Sequence, residues 1–151
     1  MWLYLDDKRL PTTKFRKQYS KKDQLFTFSN TLIFVKYLQE YQKNITGVSL
    51  DYNLDYDFQG IENFYVDRNG KQYLTGKDVL EYILELKFKR GWLKNLKTIR
   101  LHSGNDQLCL EMASLVYKYA KYTDDIVVII DPSISTGYDQ MSKYPFYTKY
   151  I

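Results

Sequence analysis

Two rhythms of apolar positions alternate along this chain. Trp2–Leu5, Leu25–Phe28 and Val48–Leu50 are short apolar runs of strand length, and "TIRLHS" at Thr98–Ser103 places Ile99 and Leu101 inward. "DIVVII", Asp125–Ile130, is a continuous β-branched run, the pattern of a strand buried on both faces of a parallel sheet. Between these runs the spacing changes to that of helices. Phe34, Val35, Leu38 and Tyr41 share one face after Ser29, whose hydroxyl can cap the helix. Val79, Leu80, Ile83 and Leu84 share another after Gly76, and Gly91 ends that segment. Leu108, Met112, Leu115, Val116 and Tyr119 form a third stripe, capped by Asn105 or Asp106.

"FYVDRNGKQYLTG" reads as a β-hairpin over about 63–74, with Asn69-Gly70 as a two-residue turn of positive φ at both positions. Residues 8–22 carry seven Lys/Arg and no acid, and Pro11 with the lack of periodicity predicts a loop there. Strands alternating with amphipathic helices predict a parallel α/β sheet whose first crossover helix is replaced by this basic loop. The division expected is an α/β domain over 1–131 and an aromatic tail over 132–151 packed on it.

Composition narrows the partners little. With 151 residues, 44% of them apolar, the chain can build one core. A net charge of +4 permits an anionic partner without demanding one. The single cysteine, Cys109, cannot form an internal disulfide and falls on an apolar helix stripe, so it reads as core in a reducing compartment. No apolar run is long enough to span a membrane, and the opening run is too short and lacks the basic residues of a leader, so a cytoplasmic protein with no membrane partner is expected.

The chemistry gathers at strand ends. Asp6-Asp7 follow the first strand, Asp51 the third, and His102-Ser103 the fourth. Ligands of open parallel sheets bind beyond the carboxyl ends of the strands, so these residues should converge on one edge. Carboxylates held close repel unless protonated or paired with a cation, and hard oxygen ligands suit Mg²⁺ or Mn²⁺. His102, the only histidine, could act there as a general acid or base. The helix start at Gly104–Asp106 could hold an anion. Each member also has a plainer role: a solvated turn for Asp6-Asp7, a turn cap for Asp51, a structural histidine, a first-turn acid for Asp78. The basic segment is either a solubilising loop or a surface that guides phosphate.

"LYLDD", "SLDYNL", "TGKD" and "HSGN", in this order, resemble the cyclic-phosphate processing receiver-like domain family over about residues 2–120. The resemblance implies a three-layer, flavodoxin-like sandwich with a mostly parallel five-stranded sheet, the core strands ordered second, first, third, fourth, fifth. It implies a metal-dependent phosphoesterase-like site for cyclic phosphates, on RNA 2′,3′-cyclic ends or cyclic nucleotides, so the partner expected is a nucleotide or an RNA phosphate end. Carried over by motif, Asp6, Asp7 and Asp51 would hold Mg²⁺ or Mn²⁺, with His102 and Asp51 catalytic. Arg9, Asn53, Asp78, Ser103 and Asn105 would contact substrate.

The chain departs from the family pattern at Tyr52 and Asn53, where the family has His and Asp, and in lacking a basic residue soon after "HSGN". These departures favour a second reading, a catalytically weakened module that binds a nucleotide, an RNA end or a protein. A third reading is a phosphoacceptor receiver domain centred on Asp51. Such domains are similar in carrying a lysine before a proline after the last strand, where this chain has Asp131-Pro132.

Overall fold

The computed structural model describes residues 1–19, 23–57, 59–120, 126–130 and 147–150. Its strands are β1 (Trp2–Leu5), β2 (Leu25–Phe28), β3 (Gly47–Leu50), β4 (Tyr65–Val66), β5 (Gln72–Tyr73), β6 (Thr98–Leu101), β7 (Val127–Ile130) and β8 (Tyr147–Tyr150). Its helices are α1 (Thr13–Tyr19), α2 (Thr31–Glu40), α3 (Gly76–Phe88) and α4 (Asp106–Tyr119). The main sheet runs β2-β1-β3-β6-β7-β8, every pair parallel. Its first five strands have the expected order, and β8 adds a sixth at the edge. This is the receiver-like, flavodoxin-like arrangement.

Alternation splits the sheet into two unlike faces. One face carries Leu3, Leu5, Val48, Leu50, Ile99, Leu101, Val128 and Ile130. With the apolar stripes of α2, α3 and α4 these form the main buried core. The other face carries Trp2 and Tyr4 on β1, Ser49 on β3 and Arg100 on β6, with Tyr4, Ser49 and Arg100 in one rung of the register. Helix α1 covers the β1 side of it through Phe15, the one buried side chain among those described in this helix, whose ring meets Trp2 at 5.6 Å and Tyr4 at 5.7 Å.

The helix α1 lies inside the segment read as a loop. Two aromatics, Phe15 and Tyr19, among four basic or amide residues and a threonine make too short a stripe to signal a helix. Tertiary burial of Phe15 stabilises the turn, and the Thr12 hydroxyl caps it by accepting from the Phe15 N–H. Residues 20–22 of the basic segment lie outside the described residues.

Smaller differences have local causes. Helix α2 is capped by Asn30, not Ser29: the Asn30 carboxamide accepts from the Ile33 N–H, while the Ser29 carbonyl accepts from Asn63. In the β4–β5 hairpin Gly70 has φ 79°, but Asn69 keeps a negative φ. The turn is wider than two residues because the Asp67 carboxylate collects the N–H groups of Asn69 and Lys71. The fourth core strand ends at Leu101, so His102 and Ser103 already belong to the exit loop. The aromatic tail and Asp131-Pro132 lie outside the described residues, except for 147–150. Among the described residues no helix is long and apolar enough to cross a membrane.

Candidate functional site

The site is a consequence of register. Leu5, Leu50 and Leu101 are paired across β1, β3 and β6. The next residue on each strand is Asp6, Asp51 and His102. The ladder continues one step beyond the strands, with the Asp51 N–H donating to the Leu5 carbonyl and the His102 N–H to that of Leu50. Three side chains from distant parts of the sequence therefore stand side by side at the carboxyl edge. Asp7 joins them: one ligand oxygen from each of Asp6, Asp7 and Asp51 lies within 4.8 Å of the others, and all three residues are buried.

Each carboxylate is held differently. Asp6 Oδ1 accepts the N–H groups of Lys8 and Arg9, both at 2.9 Å, and Oδ2 accepts Arg9 Nε at 3.0 Å and His102 Nε2 at 3.1 Å. Burial pushes Asp6 up, but these donors outweigh it and hold the group below the usual carboxylate range. Asp51 receives less: its Oδ1 accepts the Tyr52 N–H at 2.8 Å and lies 3.4 Å from Arg9 Nη2. Burial and then the neighbouring Asp6 charge push Asp51 up to about 7, with Arg9 pulling the other way. Burial also raises Asp7, and its Oδ2 is buried with no hydrogen-bond partner among the described residues.

Three carboxylates face one guanidinium, so full ionisation would leave two negative charges uncompensated. Arg9, whose side chain is 44% exposed, reaches in from the rim and pairs with both Asp6 and Asp51. An unpartnered buried carboxylate oxygen costs about 1–3 kcal/mol. That orphan atom, the charge deficit and the all-oxygen donor set fit a hard divalent cation. Asp7 and Asp51 have coordinating capacity to spare, whereas Asp6 has already committed both oxygens.

His102 is only 2% exposed and both its nitrogens are engaged. Its Nδ1 lies 2.8 Å from Ser49 Oγ, which in turn accepts from Arg100 Nη1 at 2.8 Å. Since Asp6 is ionised and only accepts, Nε2 carries the proton; Nδ1 then accepts from the Ser49 hydroxyl. The order of donation is Arg100 to Ser49 to His102 to Asp6. Burial, with Arg100 nearby, lowers the His102 pKa to about 4 despite the Asp6 bond, so the ring is neutral at pH 7. Tyr4 stacks on the ring at 4.5 Å, and Arg100 lies 4.6 Å over Phe15. Ser49, Arg100 and Tyr4 were missed by sequence reasoning. The available signal was a polar residue at the center of two otherwise apolar strands, two positions before Asp51 and His102.

The remaining expected residues divide. Ser103 is buried beside His102, and its Oγ accepts the Asn105 N–H at 3.4 Å. Asn105 is exposed and caps α4, its Oδ1 accepting the Leu108 N–H. Asn53 is exposed, two residues past Asp51, in an isolated bridge with Thr75. Asp78 is not brought to the carboxylates; its Oδ2 accepts the N–H groups of Leu74 and Thr75 in a capping box with Thr75. The "TGKD" motif acts on the site from behind. Gly76 N–H donates to the Tyr52 carbonyl, and a Cβ at Gly76 would fall 1.6 Å from the Asp51 carbonyl oxygen. Only glycine lets α3 start against the Asp51 loop. Tyr52 is half-buried against the main core, so that position faces inward.

No curated protein and no solved structure gave a significant match. The family model for the cyclic-phosphate processing receiver domain matches residues 1–118. The chain belongs to the cyclic-phosphate processing receiver domain family.

Proposed function

We propose that this domain is a metal-dependent phosphoesterase for cyclic phosphates, acting on RNA 2′,3′-cyclic ends or cyclic nucleotides. The observation that carries the reading is the buried, partnerless Asp7 Oδ2 beside Asp51 at the sheet's carboxyl edge. Asp7 and Asp51 would hold Mg²⁺ or Mn²⁺, with Asp6 fixed alongside by Arg9 and His102. Such an ion supplies a polarised phosphate oxygen and a water of lowered pKa. Arg9 offers its exposed guanidinium to the phosphate. Asn53, Ser103 and Asn105, on the loops that leave β3 and β6 at the same sheet edge, would contact the phosphate. His102 acts through Asp6, since neither nitrogen is turned outward.

The test is a panel of 2′,3′-cyclic nucleotides, 3′,5′-cyclic nucleotides and cyclic-ended RNA, incubated with Mg²⁺ or Mn²⁺. Ring opening that requires the metal and disappears in Asp7→Asn and Asp51→Asn, with the fold intact by circular dichroism, is expected. Binding without turnover would instead support the weakened binding module, which the inward-engaged His102 favours. The family's receiver character favours a third reading, aspartyl phosphorylation. A stable adduct on Asp51 by mass spectrometry after acetyl phosphate treatment would support it over hydrolysis.

A further inference from the structure

The β4–β5 hairpin stands against α2 and α3 and walls a cleft of about 720 Å³. None of its lining residues belongs to the carboxylate site or contacts it. Its floor is aromatic: Tyr65 and Tyr82 lie 6.1 Å apart, both half-buried, and Trp92 at the rim is 38% exposed. Three exposed cations line the same space, Arg68, Lys71 and Arg90.

Two carboxylates also line it, both with partners of their own. Asp67 binds the turn N–H groups and the Tyr73 hydroxyl, and Glu85 meets the Tyr119 hydroxyl and Lys89. Three cations against these two anions leave the lining net positive beside a set of aromatic side chains. A ligand that uses both has a planar ring and an anionic group joined at short range. Clefts of this volume hold compact organic ligands, and each base stacked on an aromatic side chain contributes about 1–3 kcal/mol.

We infer that the hairpin cleft binds one or two nucleotide units of single-stranded nucleic acid, with bases on Tyr65, Tyr82 and Trp92 and phosphates on Arg68, Lys71 and Arg90. The hairpin, an elaboration on the receiver-like sheet, then has a task of its own: it holds the strand at a place separate from the metal centre.

A fluorescein-labelled eight-nucleotide RNA of mixed sequence, titrated in EDTA, tests this without involving the metal site. Anisotropy should report binding, and emission of Trp92 should be quenched, a signal Trp92→Phe removes; Trp2, 6% exposed, contributes little change. The slope of log Kd against log salt should be about 2 for three phosphate contacts. Arg68→Gln/Arg90→Gln should reduce it to about 0.7 and weaken binding at least tenfold in low salt. Unchanged affinity in the double variant, or binding without quenching, overturns the inference. So does equal competition by oligoglutamate, which supplies charge without rings. Any of these failures leaves the cyclic-phosphate reading of the carboxylate edge intact.

Discussion

A proton and a metal ion should compete for Asp51. Burial and the Asp6 charge lift its pKa from 3.8 to about 7. Three pKa units correspond to about 4 kcal/mol of differential stability between its two protonation states. The sign follows from linkage. The folded state holds this proton more tightly than the unfolded chain does. Without metal, that contribution is fully present below pH 3.8 and is lost as pH rises through about 7. A bound divalent cation requires the ionised carboxylate, so its apparent affinity must change in the opposite direction.

With one titrating group of pKa about 7, the Kd for Mn²⁺ should weaken about tenfold per pH unit below neutrality, or about 80-fold from pH 7.5 to 5. At pH 6, binding one ion should release about 0.9 proton. His102, lowered to about 4, stays neutral through this window and does not contribute. Asp7, also raised, acts in the same direction. Titration calorimetry in two buffers of different ionisation enthalpy measures both quantities, and Asp51→Asn should flatten the pH dependence. A Kd constant within about threefold across this range would refute the account of how the carboxylates share their charge.

Three other outcomes follow from the site's supports. Ser49→Ala leaves His102 Nδ1 and Arg100 without their shared hydroxyl; calorimetry should show a loss of about 1–3 kcal/mol, while nitrogen NMR of the imidazole should show the Nε2–H tautomer kept, since Asp6 still accepts from it. Gly76→Ala drives a Cβ into the Asp51 carbonyl, so Mn²⁺ affinity should fall even where the fold survives, whereas Thr75→Ala should cost about 1 kcal/mol of stability through the lost cap with little change in affinity. Phe15→Ala should cost about 3–5 kcal/mol in chemical denaturation and make α1 susceptible to protease, since Phe15 is its only described side chain in the buried core.

The sequence made one face of the sheet legible and hid the other. Most residues packed under α2, α3 and α4 repeat at strand and helix periods and were found that way, whereas loop-borne members such as Ile45, Leu54, Leu93 and Leu96 carry no period and were not. Beyond Trp2 and Tyr4 on β1, the opposite face is built from isolated residues: Phe15 among the described side chains of α1, Ser49 in β3 and Arg100 in β6. A period-based reading treats these as noise, and only the register of three strands reveals that they form one column. The metal-type carboxylates were legible for a different reason. They follow their strands directly, so strand ends alone predicted their convergence. Asp78 stood out by motif, but a motif does not distinguish a substrate contact from a cap, and the geometry gives it the cap.

The polar column also explains why three carboxylates can be kept together at all. A buried arginine and a neutral histidine are costly to keep in a protein interior unless each is partnered. Here Arg100 gains Ser49 and the Phe15 face, and His102 gains Ser49, Tyr4 and Asp6. The column fixes Asp6 from below while the Lys8 and Arg9 N–H groups fix it from the loop. Asp6 therefore stays ionised and immobile, and its charge is the second largest cause of the raised pKa of Asp51. The same arrangement prepares the site for a cation: the carboxylate oxygens are held close together, and a divalent ion displaces the proton that Asp51 otherwise keeps up to about pH 7. Removing His102 should thus act through Asp6. His102→Ala should loosen Asp6 and lower the pKa of Asp51 toward its ordinary range, detected as a shallower pH dependence of Mn²⁺ binding. A proton-shuttling histidine would leave that pH dependence unchanged and reduce turnover alone.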